Sequence, residues 1–337
     1  MSKLVINESQ RHQHRFLLES FQTRTSLSFD NGSWHRESIS STENDNETMT
    51  FWGQSLTFDQ IEGVIQALSG VLTVNAIRRH PFCTTFGETV LIAEITLNKP
   101  DQLTAKLDQV CNVFHIDVAV QQYQPRLDLP GLLVMDMDST AIQIECIDEI
   151  ARLAGRGEEV SAVTAKAMRG ELDFNESLIS RVACLEGVPV AQLEQIRNAM
   201  PLTFGIQFLV RELKLRNWRI AIASGGFTYF ADYLKERLGL DAAFSNTLET
   251  RQGCLTGKVA GDIVNAEVKA QKVDELAQQY AITNSQCIAM GDGANDLAMM
   301  ARAGFGVACH AKPLVNEKAD AAIRFSGLHS LLYLLGQ

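Results

Sequence analysis

From about residue 131 onward the chain repeats one local pattern: a short apolar run, a polar cluster at its end, then a stretch of helical periodicity. Residues 132–135 run into Asp136-Met137-Asp138-Ser139-Thr140, residues 219–223 into Ser224-Gly225-Gly226, and residues 286–290 into the segment 291–296; residues 306–309 form a fourth run. Strand, polar turn and helix in repetition are the signature of an open α/β sheet. In such sheets ligands sit at the carboxyl ends of the strands, and the three polar clusters fall at that edge. Nearly eighty residues separate the first two runs, and about 146–213 read as helices only. That is too much for one crossover, so an inserted helical cap is expected.

Before Pro125 the texture differs. Residues 24–50 are rich in Ser, Thr, Asn, Asp and Glu and read as an exposed loop or linker, so 1–48 is expected to be an N-terminal segment and polar linker. Ile61, Val64, Ile65 and Leu68 have helical spacing, as do Leu103, Leu107 and Val110, while 49–52, 71–77, 88–97 and 115–120 read as strands. The order over 49–125 is βαββαβ, the ferredoxin-like arrangement, and it resembles the ACT-like regulatory modules attached to amino-acid enzymes. The expected fold is therefore α/β, a Rossmann-like core with parallel sheet and helical cap over 128–337, behind an α+β ferredoxin-like domain.

Composition excludes several classes. With 46% hydrophobic and 21% charged residues, the 337-residue chain is neither disordered, collagenous nor coiled coil. Its net charge is −10, and both parts share the deficit: 9 basic against 14 acidic residues up to 125, 21 against 26 after it. Neither part offers the basic field that nucleic acid or an anionic membrane needs. The seven cysteines are odd in number and scattered, which fits neither a disulfide framework nor a CxxC metal site. No apolar stretch approaches the ~18 residues of a membrane span, and the first residues lack a signal-peptide core. The expectation is a cytoplasmic protein with reduced thiols and a small-molecule partner.

The polar clusters carry the chemistry. Two carboxylates two residues apart at a strand end, Asp136 and Asp138, both face a ligand if the backbone curls there. An EF-hand calcium loop would need Asp or Asn, Gly and Glu where Thr140, Ala141 and Ile147 stand. Helix capping by Asp138 or Ser139, or a solvated turn, competes equally. Ser224-Gly225-Gly226 offers a hydroxyl and free amides to phosphate oxygens, or is only a turn. The third cluster adds Asp292, Asn295 and Asp296. Magnesium prefers hard oxygen ligands, and Asp136, Asp292 and a backbone carbonyl near Asp138 could supply them.

The three clusters in this order, each behind an apolar strand, resemble the haloacid dehalogenase-like phosphatases. That pattern includes a basic residue between the second and third clusters; Lys269 fits it, and Lys272 competes. The segments DMDSTAIQIECIDEIA, AMRGELDFNESLISRV, SGGF and MGDGANDLAMMARAG, within about 128–326, are similar to the phosphoserine phosphatases. The resemblance implies Asp136 as nucleophile and Asp138 as general acid and then base. It implies Mg²⁺ on Asp136, Asp138 and Asp292, and phosphate held by Ser224, Gly225, Lys269 and Asn295, with Asp296 in support. It also implies Glu145 on the substrate ammonium, Arg181 on its carboxylate, and Phe174 and Met168 in the cap, for the last step of serine biosynthesis. Independently, Asp173 and Glu176 make a capping pair that puts Phe174 and Arg181 on one helix face. Pairing of ACT-like modules implies a homodimer. A phosphatase for another small phosphomonoester, such as phosphohomoserine or a sugar phosphate, and a non-catalytic amino-acid sensor remain the rival readings.

Overall fold

The structure, a computed structural model, describes residues 2–22, 25–30, 32–38, 47–169 and 171–336, the side chains of Ser38 and Met168 excepted. It divides into two compact units, residues 1–125 with 316–337, and residues 126–315.

The first unit holds strands β1 (Ser2–Leu4), β2 (Thr25–Asp30), β3 (Ser33–Ser38), β4 (Thr48–Gly53), β5 (Leu72–Arg79), β6 (Thr89–Leu97) and β7 (Asp117–Gln121). They form one antiparallel sheet in the order β1-β3-β2-β5-β6-β4-β7. From β4 onward the elements follow the expected βαββαβ order, with helices Phe58–Leu68 and Leu103–Phe114. Thr57 starts the first of them through a capping box with Gln60, and Phe58, Ile61, Val64, Ile65 and Leu68 bury one stripe against the sheet.

Two expectations need correcting. The segment 24–50 is not a linker throughout, because β2 and β3 make a hairpin that extends the sheet; residues 39–46 lie outside the described residues. Leu27 and Trp34 are buried there, Trp34 donates Nε1–H to Glu62 Oε1 at 2.7 Å, and Gly32 turns the chain at φ 74°. Gly32 is the turn signal that the polar composition hid. The C-terminal end also departs from the expected 128–337 domain, since 316–337 belongs to the first unit. Buried Asp117 accepts backbone N–H groups from Arg324, Phe325 and Ser326 at 2.7–3.1 Å. Glu88 Oε2 meets His329 Nε2 at 3.0 Å and accepts from Tyr333 OH at 2.9 Å. These are long-range polar contacts with no local sequence signature.

The second unit holds β8 (Leu132–Met135), β9 (Arg219–Phe227), β10 (Ala242–Arg251), β11 (Cys254–Ala260), β12 (Cys287–Gly291) and β13 (Phe305–Cys309), in the order β11-β10-β9-β8-β12-β13. All pair in parallel except β10 with β11. The buried strands are near-continuous apolar runs, as a sheet covered on both faces requires. β8 lies between β9 and β12, so the chain leaves it to opposite sides and a crevice opens at its carboxyl end. Between β8 and β9 come helices Cys146–Leu153, Gly157–Met168, Phe174–Ala183, Val190–Ala199 and Ile206–Lys214, in the expected cap region. The two chain passages into the cap are tied side by side: Gln143 N donates to Pro201 O at 3.0 Å and Thr203 N to Ala141 O at 3.1 Å. β10 and β11, joined by a tight turn at Gln252 and Gly253 with both φ positive, were not anticipated.

Candidate active site

Asp136 ends β8, its N–H donating to Met290 O of β12 at 2.9 Å. The chain then curls through one turn, closed by Ile142 N on Met137 O at 3.0 Å. Ser139 takes a left-handed conformation (φ 55°), sparsely populated for a residue with a Cβ. Its Oγ donates to Glu145 Oε1 at 2.6 Å. This curl brings Asp136 and Asp138 to the same side of the sheet edge, as their spacing allowed.

The two candidate lysines are placed differently. Lys269 sits in the first turns of helix Ala266–Gln279, which Asn265 caps, and is wholly buried. Its Nζ lies 3.0 Å from Asp136 Oδ2 and 2.8 Å from Asp296 Oδ1. Burial alone would strip its proton; the two carboxylates outweigh that and hold the ammonium above its ordinary value. Lys272 instead pairs with Glu275 at 2.6 Å. Asp296 is fully committed: Oδ1 to Lys269 and Oδ2 to the N–H of Gly293 at 3.0 Å.

Asp138 accepts the Cys146 N–H on Oδ2 at 3.2 Å, and its Oδ1 is shut from solvent without a hydrogen-bond partner among the described residues. Burial, then the charges of Glu145 and Asp136, push its carboxyl up to about 8. Asp292, with Thr140 Oγ1 at 3.3 Å, is pushed up to about 6 by burial and then by Asp136 and Glu145. Glu145 keeps an exposed flank, yet desolvation of its carboxylate raises its pKa against the pull of Ser139. Carboxylate oxygens of Asp136, Asp292 and Asp296 lie within 4.8 Å of one another. Asp136 and Asp292 line the cavity and Asp296 does not, so those two are the side chains placed to hold a cation, in a hard-oxygen setting that fits a divalent ion.

At the end of β9 the Ser224 hydroxyl accepts the Gly226 N–H at 3.0 Å. The Phe174 ring lies against the loop; a Cβ at Gly225 would stand 2.9 Å from its tip, so a side chain there would displace the ring. Asn246, buried and absent from the sequence reading, donates to Gly225 O at 2.8 Å and accepts the Val264 N–H at 2.8 Å. It ties the Ser224 loop to the segment entering the Lys269 helix.

One cavity of about 430 Å³ collects these groups. Asp136, Asp138, Glu145 and Asp292 line its sheet side, Phe174, Ser177 and Arg181 descend from the cap, and Ser224, Gly225 and Asn295 close the remainder. Asp173 and Glu176 form the expected capping box on the helix that carries Phe174 and Arg181. Lys269 and Asp296 stand behind Asp136 rather than in the lining. Met168 ends a cap helix, and its side chain lies outside the described residues. Lys312, which follows β13, also lines the cavity and was not anticipated; its signal is that it, too, comes after a strand end. All seven cysteines are free, and no described helix is long and apolar enough to cross a membrane.

Comparison with known proteins gives one consistent answer. A family model for haloacid dehalogenase-like hydrolases matches residues 131–304. The phosphoserine phosphatase of Vibrio cholerae is 54% identical over 234 residues, 69% of this chain and 71% of that protein. The one from Haemophilus influenzae is 55% identical over 220 residues, 65% of this chain and 70% of its own length. The crystal structure of a probable phosphoserine phosphatase from Vibrio cholerae, unliganded, superposes with a TM-score of 0.73 at 44% identity, covering 88% of each chain.

Proposed function

The chain belongs to the haloacid dehalogenase-like hydrolases, and on that premise we propose that it hydrolyses O-phospho-L-serine to L-serine and inorganic phosphate. The observation that carries this reading is a single cavity in which two neighbouring strand-end carboxylates meet both a carboxylate and a guanidinium suited to an amino-acid zwitterion.

Asp136 is the nucleophile. Its Oδ1 is fixed by the Met137 N–H at 2.7 Å and its Oδ2 by Lys269, so the carboxylate is oriented before substrate arrives. Attack on phosphorus breaks the bond to the serine oxygen and leaves an aspartyl-phosphate on Asp136. Asp138, with its carboxyl held up to about 8, carries a proton at neutral pH and gives it to that leaving oxygen. The Asp138 carboxylate so formed then takes a proton from water, whose oxygen attacks phosphorus and releases Asp136 and phosphate. Ser224, the Gly225 amide and Asn295 position the phosphate oxygens, and the Lys269 ammonium holds the Asp136 side chain in place. Asp136, Asp292 and a backbone carbonyl near Asp138 would hold Mg²⁺, which would supply further charge neutralisation for the phosphoryl group. Glu145 meets the ammonium and Arg181 the carboxylate, a task suited to a planar fork of donors. The βαββαβ element order of the first unit supports reading it as an ACT-like domain.

The test is phosphate release from O-phospho-L-serine against a panel of phosphohomoserine, sugar phosphates and an aryl phosphate, with and without Mg²⁺. Strong metal-dependent preference for phosphoserine is expected. Metal-dependent turnover without preference would leave the chemistry standing and remove Glu145 and Arg181 from recognition. No turnover on any ester would sink the reading.

A further inference from the structure

The cavity has an excess of negative charge for the anion it receives. Five lining residues are acidic, Asp136, Asp138, Glu145, Asp173 and Asp292, of which Asp138 holds its proton at neutral pH, and two carry cations, Arg181 and Lys312. Lys269 adds little outward field, because its buried ammonium is held between two carboxylates. Arg181 is taken by the carboxylate of the amino acid. For a phosphate dianion arriving from solvent, the remaining lining cation is Lys312.

Its place suits that task. Lys312 stands three residues past β13, the strand paired with β12, and the loop after β12 carries Asp292 and Asn295. It is therefore on the phosphate side of the cavity rather than beneath the cap. Its side chain is exposed and has no ion-pair partner among the described residues. Pro313 follows it, and a residue before proline is held to extended backbone, which fixes where the flexible side chain is rooted. Lysine, a strongly hydrated point charge on a four-carbon stem, can meet an incoming dianion and follow it inward.

We infer that Lys312 captures the phosphate group at the cavity mouth, both of the incoming ester and of the inorganic phosphate product. The inference rests on the assignment of the phosphate end in the proposed function, and goes beyond it in naming the group that draws the dianion into an acidic cavity. A lone exposed cation near a dianion acts through a field that salt screens.

The experiment is calorimetric titration of inorganic phosphate into the Mg²⁺-loaded full chain at low and high salt, for wild type, Lys312→Gln, Lys312→Arg and, as a net-charge control, Lys258→Gln on β11. Lys312→Gln should weaken phosphate binding about five- to tenfold at low salt, with a smaller gap at high salt. The KM for phosphoserine should rise in the same proportion, with kcat changing less. Lys312→Arg should restore most of the loss, and Lys258→Gln should match wild type. Equal phosphate affinity in wild type and Lys312→Gln, or an equal loss in Lys258→Gln, overturns the proposal. Because phosphate binding is read without turnover, a chain that binds phosphate through Lys312 yet ignores phosphoserine would refute the substrate instead.

Discussion

Lys269→Met tests the centre of the site through stability rather than activity. The substitution keeps the side-chain length, removes the ammonium, and leaves Asp136 and Asp296 facing each other in a buried setting, 5% and 0% exposed. Removing one partner of a buried ion pair costs about 3–5 kcal/mol, because the remaining charge is left without compensation. In a unit of this size, 1 kcal/mol moves Tm by roughly 2–4 °C, so the loss should be about 6–20 °C. The sign with pH follows from the carboxylates. Orphaned, they bind protons more tightly in the folded chain than in the unfolded one, whose aspartates titrate near ~3.9. The deficit is therefore largest at neutral pH and shrinks as pH falls through the raised folded values toward ~4. The assay is thermal unfolding of wild type, Lys269→Met and the double variant Lys269→Met/Asp296→Asn, at pH 7 and pH 5. The double variant should recover part of the loss, since it removes one orphaned charge, without recovering turnover. A Tm loss under ~3 °C, or a double variant less stable than the single, would show that Lys269 does not compensate these two carboxylates.

Other consequences are simpler to state. Asp136→Asn should lower phosphate release from phosphoserine on the order of a thousandfold or more, and substantial residual turnover would remove Asp136 as nucleophile. Arg181→Ala removes a charge-assisted contact of about 1.5–3 kcal/mol, so kcat/KM for phosphoserine should fall roughly 10- to 150-fold while an aryl phosphate is little affected; equal losses on both would refute recognition by Arg181. In the first unit His80 is buried, accepts the Phe82 N–H on Nδ1 at 3.1 Å, and is held down to about 3 by burial and then by Arg78. Between that value and the ~6.5 of a free imidazole the unfolded chain holds the extra proton, so stability should drop by about 1.4 kcal/mol per pH unit as pH falls below 6.5. Hydrogen exchange of β5 and β6 at pH 7 and 5 should show this slope in wild type and a shallower one in His80→Asn; identical slopes would discount the imidazole.

What could be read from sequence was whatever physics writes locally. A buried parallel strand must be a short apolar run, and a ligand edge must be polar, so β8, β9, β12 and β13 and the clusters behind them stand out in the letters. The β2–β3 hairpin did not, because its inward residues, Leu27 and Trp34, are few and its flanks polar. β10, with Ala-Ala-Phe-Ser-Asn-Thr at its start, is a strand because β9 lies beside it. Asn246 has no motif at all; its function exists only once Gly225 and Val264, from either side in sequence, have been brought to its amide. The seating of 316–337 on the first unit rests on Asp117 and Glu88, some two hundred residues away, and such contacts leave no trace in local periodicity.

The choice between Lys269 and Lys272 lies between these cases, and shows how much a helix's phase can decide. At 100° per residue, Ala270, Val273 and Leu276 define the buried arc of helix Ala266–Gln279, and all three are in the core. Lys269 falls inside that arc, one turn before Val273 and two before Leu276, while Lys272 falls outside it. Helical side chains also lean toward the N-terminus, which carries Lys269 toward the edge where Asp136 and Asp296 wait. A lysine inside an apolar arc cannot remain there as a bare charge; it must lose its proton or meet an anion. Its position therefore implies the partners before they are seen, and the two carboxylates at 3.0 and 2.8 Å are what that requirement looks like once met. The same reasoning gives Lys312 its different character: outside any apolar stripe, exposed and unpaired, it is free to meet an anion that comes from solvent.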